Sequence, residues 1–276
     1  MDLTARPTPA VDSATVQAAG RKGWMAGDVH VPAMSELPPL PSTATPPAGA
    51  TVARSLRNFQ LLDPNVCPPG AAPEIKNFWL VAPGVFACVL RHRKTWHDGD
   101  RDICQGKYAT KSRAEMCCLG GPTPYVKGGS YLIGTTVWLR GDFVPAAGYC
   151  NFQQPTLHAT YTTAQRLEGN NVITSVMAFE RGLGSRTRVV RTFSVPRGQW
   201  TSWVIRIQPG RKSGRIEVSV NGDKFTGITL DTTIGHVHAD RVGVVDKFGG
   251  TWGIYESTHK NVDSLVIHAY PWWKRE

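Results

Sequence analysis

The 276-residue sequence has no apolar run of the ~18 residues that a spanning helix needs, so no helical membrane segment is expected. Its opening, MDLTARPTPAVDSATVQAAG, has neither a basic region nor an apolar stretch, and so does not read as a secretory signal. Basic residues stand singly and never in blocks of about five, so nucleic acid is not indicated beyond what net charge alone implies. No segment of useful length carries a helical period. Cysteine is sparse for a chain of this size. Cys67, Cys88, Cys104, Cys117, Cys118 and Cys150 are too few to staple it and match no zinc spacing. Free buried thiols are expected, with one or two disulfides as the alternative. Neither a cofactor nor a metal is expected.

What is present is positive charge and β pattern. Lys and Arg number 31 against 21 Asp and Glu, a net charge of +10, which favours an anionic partner. A hydrophobic content of 41% is enough for a sizeable core. Residues 1 to 55 are rich in Pro, Ala and Thr, as in ELPPLPSTATPPAGA. Prolines at 38, 39, 41, 46 and 47 remove backbone donors and block helix, so this part reads as an extended arm or linker. No leader is expected ahead of Met1, and the arm is expected to be held by its own domain or by another chain.

Residues 56 to 276 read as one β domain. YLIGTTVWLR (131–140), NVITSVMAFE (171–180), TSWVIRIQ (201–208), GRIEVSVNG (214–222) and NVDSLVIHAY (261–270) are β-branched or aromatic and bounded by turn residues. Asn221-Gly222 suits the positive φ values of a type I′ hairpin. Alternation assigns Trp203, Ile205, Ile207, Ile216, Val218, Val220, Trp252, Ile254, Leu265 and Ile267 to the core. The architecture expected is a two-sheet sandwich or jelly roll.

Three places carry chemistry. In KSRAEMCC, Ala114, Met116 and Cys118 would point inward, while Arg113 and Glu115 share the outer face and can fix each other's rotamers. In CNFQQPTLHATY, Gln154 and His158 share a face if the strand is regular; a bulge at Pro155 would expose Gln153 instead. In GTWGIYES, Tyr255 shares a face with Thr251 and Gly253, opposite Trp252 and Ile254, and Gly253 would leave space beside the phenol.

In order, RAEM, FQQPTLH, GQWTSWVIRIQPGRKSGRIEVSVNGDKF, WGIYES and VDSLVIHAY resemble the heparin-lyase-type and glucuronan-lyase-type polysaccharide lyases over residues 75 to 270. The resemblance implies a concanavalin-like β-jelly roll whose concave sheet holds a uronic-acid polymer. It implies that Arg113 with Gln153 or Gln154 neutralises the sugar carboxylate, that His158 acts as a base and that Tyr255 acts as acid or acid/base. Glu115 and Lys247 would help hold substrate. The sequence departs from the pattern in three ways. Cys117 stands where a basic residue is usual, Pro155, Thr156 and Leu157 separate glutamine from histidine, and the lysine before GIY is as far back as Lys247.

Two functions are expected from this. One is a carbohydrate-binding jelly roll used structurally, as a bacteriophage virion component that contacts other subunits through residues 1–55 and an acidic polysaccharide or cell-surface glycan through its sheet. The other is an active lyase cleaving a uronate polymer by β-elimination, secreted by a non-classical route.

Overall fold

The computed structural model describes residues 24–26, 29–62, 78–90, 111–117, 119, 123–124, 129–146, 150–155, 160–180, 186–208, 214–230, 247–248, 250–257 and 264–276. Its strands are β1 (Trp24–Ala26), β2 (Val29–Val31), β3 (Thr51–Val52), β4 (Gln60–Leu62), β5 (Phe78–Ala82), β6 (Val85–Leu90) and β7 (Lys111–Cys117). They continue with β8 (Thr123–Pro124), β9 (Tyr131–Leu139), β10 (Cys150–Pro155), β11 (Thr160–Glu168), β12 (Asn171–Glu180) and β13 (Arg186–Pro196). The last are β14 (Trp200–Gln208), β15 (Gly214–Val220), β16 (Thr226–Leu230), β17 (Lys247–Phe248), β18 (Gly250–Ser257) and β19 (Ser264–Arg275).

Two antiparallel sheets form the body. One has seven strands in the order β13-β12-β11-β10-β18-β7-β4. The other has eight, β16-β15-β14-β9-β19-β6-β5 with β3 attached to β19. The fold is a two-sheet all-β jelly roll. Non-sequential neighbours such as β10-β18-β7 mean that strands far apart in sequence meet in the middle of the sheet. At the β15–β16 hairpin, Asn221 and Gly222 have φ of 50° and 79°, the conformation this dipeptide tolerates.

Period-two alternation builds the space between the sheets. Phe86, Ile133, Trp203, Ile205, Ile207, Ile216, Val218, Trp252 and Ile254 all lie in one buried cluster. Aromatic rings lock the two sheets together at Phe152–Trp203, 6.4 Å between centroids, and at Phe193–Trp203, 5.5 Å. Cys88 and Cys150 are buried free thiols. Burial, with the charge of Glu115 adding to it, pushes the Cys88 thiol well above the usual range, so it stays protonated.

Leu265 and Ile267 are buried, but not between the sheets. They lie on the outer face of the eight-stranded sheet, with Val85, Ala87, Val89, Trp138 and Trp200. Alternation separates two faces without saying what covers each. Here the cover is the chain's own N-terminal segment, through Val29, Val31 and Leu37 with Met34 and Leu40. This segment is extended apart from short 3-10 turns at Met34–Glu36, Ser42–Ala44 and Leu56–Asn58. The indole N–H of Trp200 donates to the Pro38 carbonyl at 2.8 Å. Ala53 N–H donates to the Pro271 carbonyl and Gly84 N–H to the Arg54 carbonyl. Several of the segment's amides bond locally, as Leu37 N–H to the Met34 carbonyl and Ala44 N–H to the Pro41 carbonyl, while the Ala53 N–H and the carbonyls of Pro38 and Arg54 use the body as partner.

Candidate functional site

The three chemical segments of the sequence become adjacent strands. β18 runs between β7 and β10 in the seven-stranded sheet. On one side Tyr255 pairs with Arg113, Gly253 with Glu115 and Thr251 with Cys117. On the other Tyr255 pairs with Asn151 and Thr251 with Gln154. Arg113, Tyr255 and Asn151 therefore occupy one register row across three strands, with a spacing of about 4.8 Å per step. Glu115 stands one row along, opposite Gly253, and Gln154 one row further, opposite Thr251.

The phase of each strand is set by its apolar residues. Trp252 and Ile254 are fully buried between the sheets, which turns the partly exposed Tyr255 to the outer face. Ala114 and Met116 do the same for β7. In β10 the register shifts between Asn151 and Gln153: there β10 carries one residue more than β11 and one fewer than β18. This bulge corrects the expectation for Gln153, which does not line the outer face. It points between the sheets at 1% exposure and accepts a hydrogen bond from the Trp203 indole N–H at 2.7 Å. The kink lies before the glutamines and not at Pro155, so Gln154 is the outward one. Its Nε2 donates to Glu115 Oε1 at 3.3 Å, tying β10 to β7 across β18.

Glu115 is only 5% exposed. The Arg113–Glu115 strand face is thus no fully solvated surface. Asn151, which sequence reasoning missed, is 8% exposed and its Oδ1 accepts no hydrogen bond. Alternation from the glutamines does not reveal it, because the register shift between Asn151 and Gln153 reverses the phase of the strand. His158 lies outside the described residues. Lys247 sits in β17, paired with Pro124 of β8, away from the Arg113–Tyr255–Asn151 row in the strand order.

Gly253 does not leave space for a ligand. Its φ is 146°, and a Cβ there would meet the Ala114 carbonyl oxygen at 2.1 Å and Glu115 Cα at 2.8 Å. The missing side chain lets β7 approach β18 closely. From the other sheet, buried His268 reaches the same residue: its Nε2–H donates to the Gly253 carbonyl at 3.0 Å, and its Nδ1 accepts from the Thr135 hydroxyl at 3.1 Å. Both nitrogens are used by a neutral ring, and burial pushes its pKa down to about 4. Gly253 is thereby fixed from two directions, two residues from Tyr255.

Among the described residues, no group of three or more His, Cys, Asp or Glu side chains is arranged to hold a metal ion. Among the described residues, no helix is long and apolar enough to cross a membrane. The site offers a phenol, two amides, a buried carboxylate and an arginine position in adjacent rows. It is suited to hydrogen bonding a polar, anionic chain and to moving a proton at the phenol.

No protein-family model matches the chain, and no curated protein matches its sequence. Among solved structures it is similar to the family 7 alginate lyase A1-II′ in complex with product, with 14% identity and a TM-score of 0.48 over 81% of this chain and 100% of that one. It is similar to the alginate lyase from Klebsiella pneumoniae, with 11% identity and a TM-score of 0.46 over 72% and 83% of the two chains. It is also similar to a β-glucanase catalytic domain from Podospora anserina, with 11% identity and a TM-score of 0.40 over 69% and 71%. At this level of identity the likeness is one of fold alone.

Proposed function

We propose that this protein binds an acidic, carboxylate-bearing polysaccharide across the outer face of its seven-stranded sheet, with Tyr255 at the centre of the contact. In this reading it is the glycan-attachment component of a larger particle, a bacteriophage virion. The observation that carries the binding site is the row in which three strands align Arg113, Tyr255 and Asn151. A guanidinium can form a charge-assisted pair with a sugar carboxylate, and the phenol and amide supply hydrogen bonds at the neighbouring positions. The net charge of +10 supports an anionic partner. The virion role rests on the proline-rich composition of the N-terminal segment.

A second reading, a lyase, is favoured by the same row. A proton at C5 of a uronate becomes removable when donors neutralise the adjacent carboxylate. A tyrosinate at position 255 would take that proton as the C4–O bond breaks and a C4–C5 double bond forms. The resulting phenol would return a proton to the departing oxygen. Arg113, Asn151 and Gln154 are the residues to neutralise the carboxylate.

One experiment tests both readings. The full chain is incubated with glucuronan, alginate and heparin, while ultraviolet absorbance of unsaturated uronate and retardation in polysaccharide-containing gels are followed. Retardation without new absorbance supports binding alone, and growing absorbance makes the protein a lyase. Neither signal with any of the polymers overturns the glycan reading. For the virion role, antibodies to the protein should label intact particles, and particles without label would remove that part of the proposal.

A further inference from the structure

Gln153 is held by chemistry as well as by register. An indole N–H can only donate, so the Trp203 bond at 2.7 Å requires Oε1 of the Gln153 amide to face the other sheet. Nε2, with its two protons, is left to be satisfied elsewhere. In register, Gln153 pairs with Trp252 of β18 and with Thr162 of β11. Trp252 and Thr162 are 0% exposed and Gln153 is 1% exposed. Gln153 Nε2, Trp252 Nε1 and Thr162 Oγ1 make no hydrogen bond within the protein. The buried Thr160 hydroxyl, two residues from Thr162 on the same strand face, makes none either.

A polar group buried without a partner gives up its hydration for nothing. The surroundings supply no protein partner. Along the row, Trp252 is followed by Met116 and Thr162 by Val176, both fully buried and apolar. From the other sheet, the Trp203 indole N–H is spent on Gln153, and the rings of Phe152 and Phe193 lie beside it. The cluster is therefore enclosed by apolar side chains and rich in donors: two from the amide, one from the indole, and hydroxyls that both give and accept. Partners on adjacent strands stand about 4.8 Å apart, and polar ends that fall short of each other at this spacing suit a single bridging water.

We propose that the space between the sheets binds an internal water molecule on Gln153, Trp252 and Thr162. Its oxygen accepts from Gln153 Nε2–H and Trp252 Nε1–H, and one of its protons is donated to Thr162 Oγ1. Three partners are the usual complement of a buried water. Its other proton is available to the Thr160 hydroxyl. The chain Trp203–Gln153–water–Trp252 then joins the two sheets and ties β10 to β18 through side chains as well as backbone. It lies at the step where the register of β10 shifts, and so holds Gln153 inward where Asn151 and Gln154 face out. The water site stands whatever the outer face binds.

The test uses the full chain with isotope-labelled tryptophan. The Trp252 indole resonance, identified by its loss in Trp252→Phe, should show magnetisation transfer from water of the sign given by a long-lived internal molecule. Thr162→Ser keeps the hydroxyl and should keep this signal. Thr162→Val preserves the shape and removes the hydroxyl. If that hydroxyl holds the water, the variant should melt about 2–4 °C lower and its signal should weaken. If the hydroxyl has no partner, a methyl in its place leaves the melting temperature unaltered or raises it, and that result overturns the site. A high-resolution crystal structure of the unaltered chain gives a readout that depends on no variant. One water within hydrogen-bond distance of Gln153 Nε2, Trp252 Nε1 and Thr162 Oγ1 supports the site. Direct protein partners for these atoms, or a larger solute such as an anion among them, overturn it.

Discussion

The two outer faces of this sandwich have opposite fates. Outside the eight-stranded sheet, Val85, Ala87, Val89, Leu265 and Ile267 make an apolar surface that Val29, Val31 and Leu37 of the same chain cover. Outside the seven-stranded sheet, the corresponding positions hold Tyr255, Asn151, Thr163, Ser175 and Thr192, and no cluster of buried hydrophobic residues lies there among the described residues. An apolar face must be covered to stay soluble, whereas a polar one can remain accessible and be used. The proline-rich segment and the candidate site thus mark two unlike faces: one is apolar and sealed by the chain itself, the other is polar, with Tyr255 and Gln154 partly exposed above buried Glu115, Asn151, Thr163 and Ser175.

The largest expected effect comes from removing the seal. Deleting residues 1–55 would uncover the apolar face and remove the Trp200–Pro38 and Ala53–Pro271 hydrogen bonds. The composition of the segment suggests a dispensable arm, but its packing argues for an integral layer. The deleted chain should aggregate or lose its cooperative melting transition, as gel filtration and tryptophan fluorescence would show. A soluble monomer with an unchanged melting temperature would mean that the two faces do not differ as described.

This seat of the N-terminal segment also marks where the sequence stops being legible. The segment 171–180 forms a strand at those very positions, and Asn221-Gly222 makes its turn, because β-branched alternation and turn chemistry are local. The inward set Trp203, Ile205 and Ile207 is legible for the same reason. Leu265 and Ile267 are legible as buried but not as covered by residues more than 200 positions away. For the site, Tyr255 and Gln154 follow from alternation. Gln153 and Asn151 do not, because a one-residue bulge reverses the phase of β10 and a bulge is decided by the neighbouring strands. The role of Gly253 depends on a carbonyl of β7 that no local pattern reveals.

The next effect is a pH dependence arising beneath the polar face. His268 is neutral and buried, with its pKa lowered from 6.5 to about 4. Above pH ~6.5 it is neutral in folded and unfolded chains alike and contributes nothing to pH dependence. As pH falls from there towards 4, the unfolded chain takes up a proton that the folded one refuses, so stability declines through this window and levels off below it. The loss amounts to about 3 kcal/mol. Asp223, held below the usual carboxylate range chiefly by its hydrogen bond from Arg191, loses its contribution only at lower pH. Urea unfolding across this pH range should show the slope in the unaltered protein. His268→Gln should be less stable at neutral pH and lack the slope, and a slope that survives would place its origin elsewhere.

Gly253→Ala should cost less, roughly 1–3 kcal/mol, the scale of strain at a positive-φ position. Its Cβ would press on the Ala114 carbonyl, so β7 and β18 must separate where they hold Glu115 and Tyr255. Binding of polysaccharide should therefore fall by more than the modest change in melting temperature suggests. Equal binding by a folded Gly253→Ala protein would show that the spacing of these two strands does not matter to the site.

The smallest effect on stability should come at the centre of the polar face. Tyr255→Phe keeps the ring and removes one hydroxyl from a partly exposed position, a change expected to stay within about 0.5 kcal/mol. On the covered face, by contrast, Leu265→Ala at 1% exposure should cost about 2–5 kcal/mol. The pair measures the contrast between the two faces directly, one residue for the fold and one for the ligand. If the protein is a lyase, Tyr255→Phe should abolish the ultraviolet product signal while the polymer still binds, because the hydroxyl carries the proton and the ring carries part of the contact. If the protein only binds, the same variant should weaken retardation by about the worth of one hydrogen bond, ~1 kcal/mol or roughly fivefold. A Tyr255→Phe protein with unaltered melting, unaltered binding and unaltered product formation would remove Tyr255 from the site and leave the polar face without its centre.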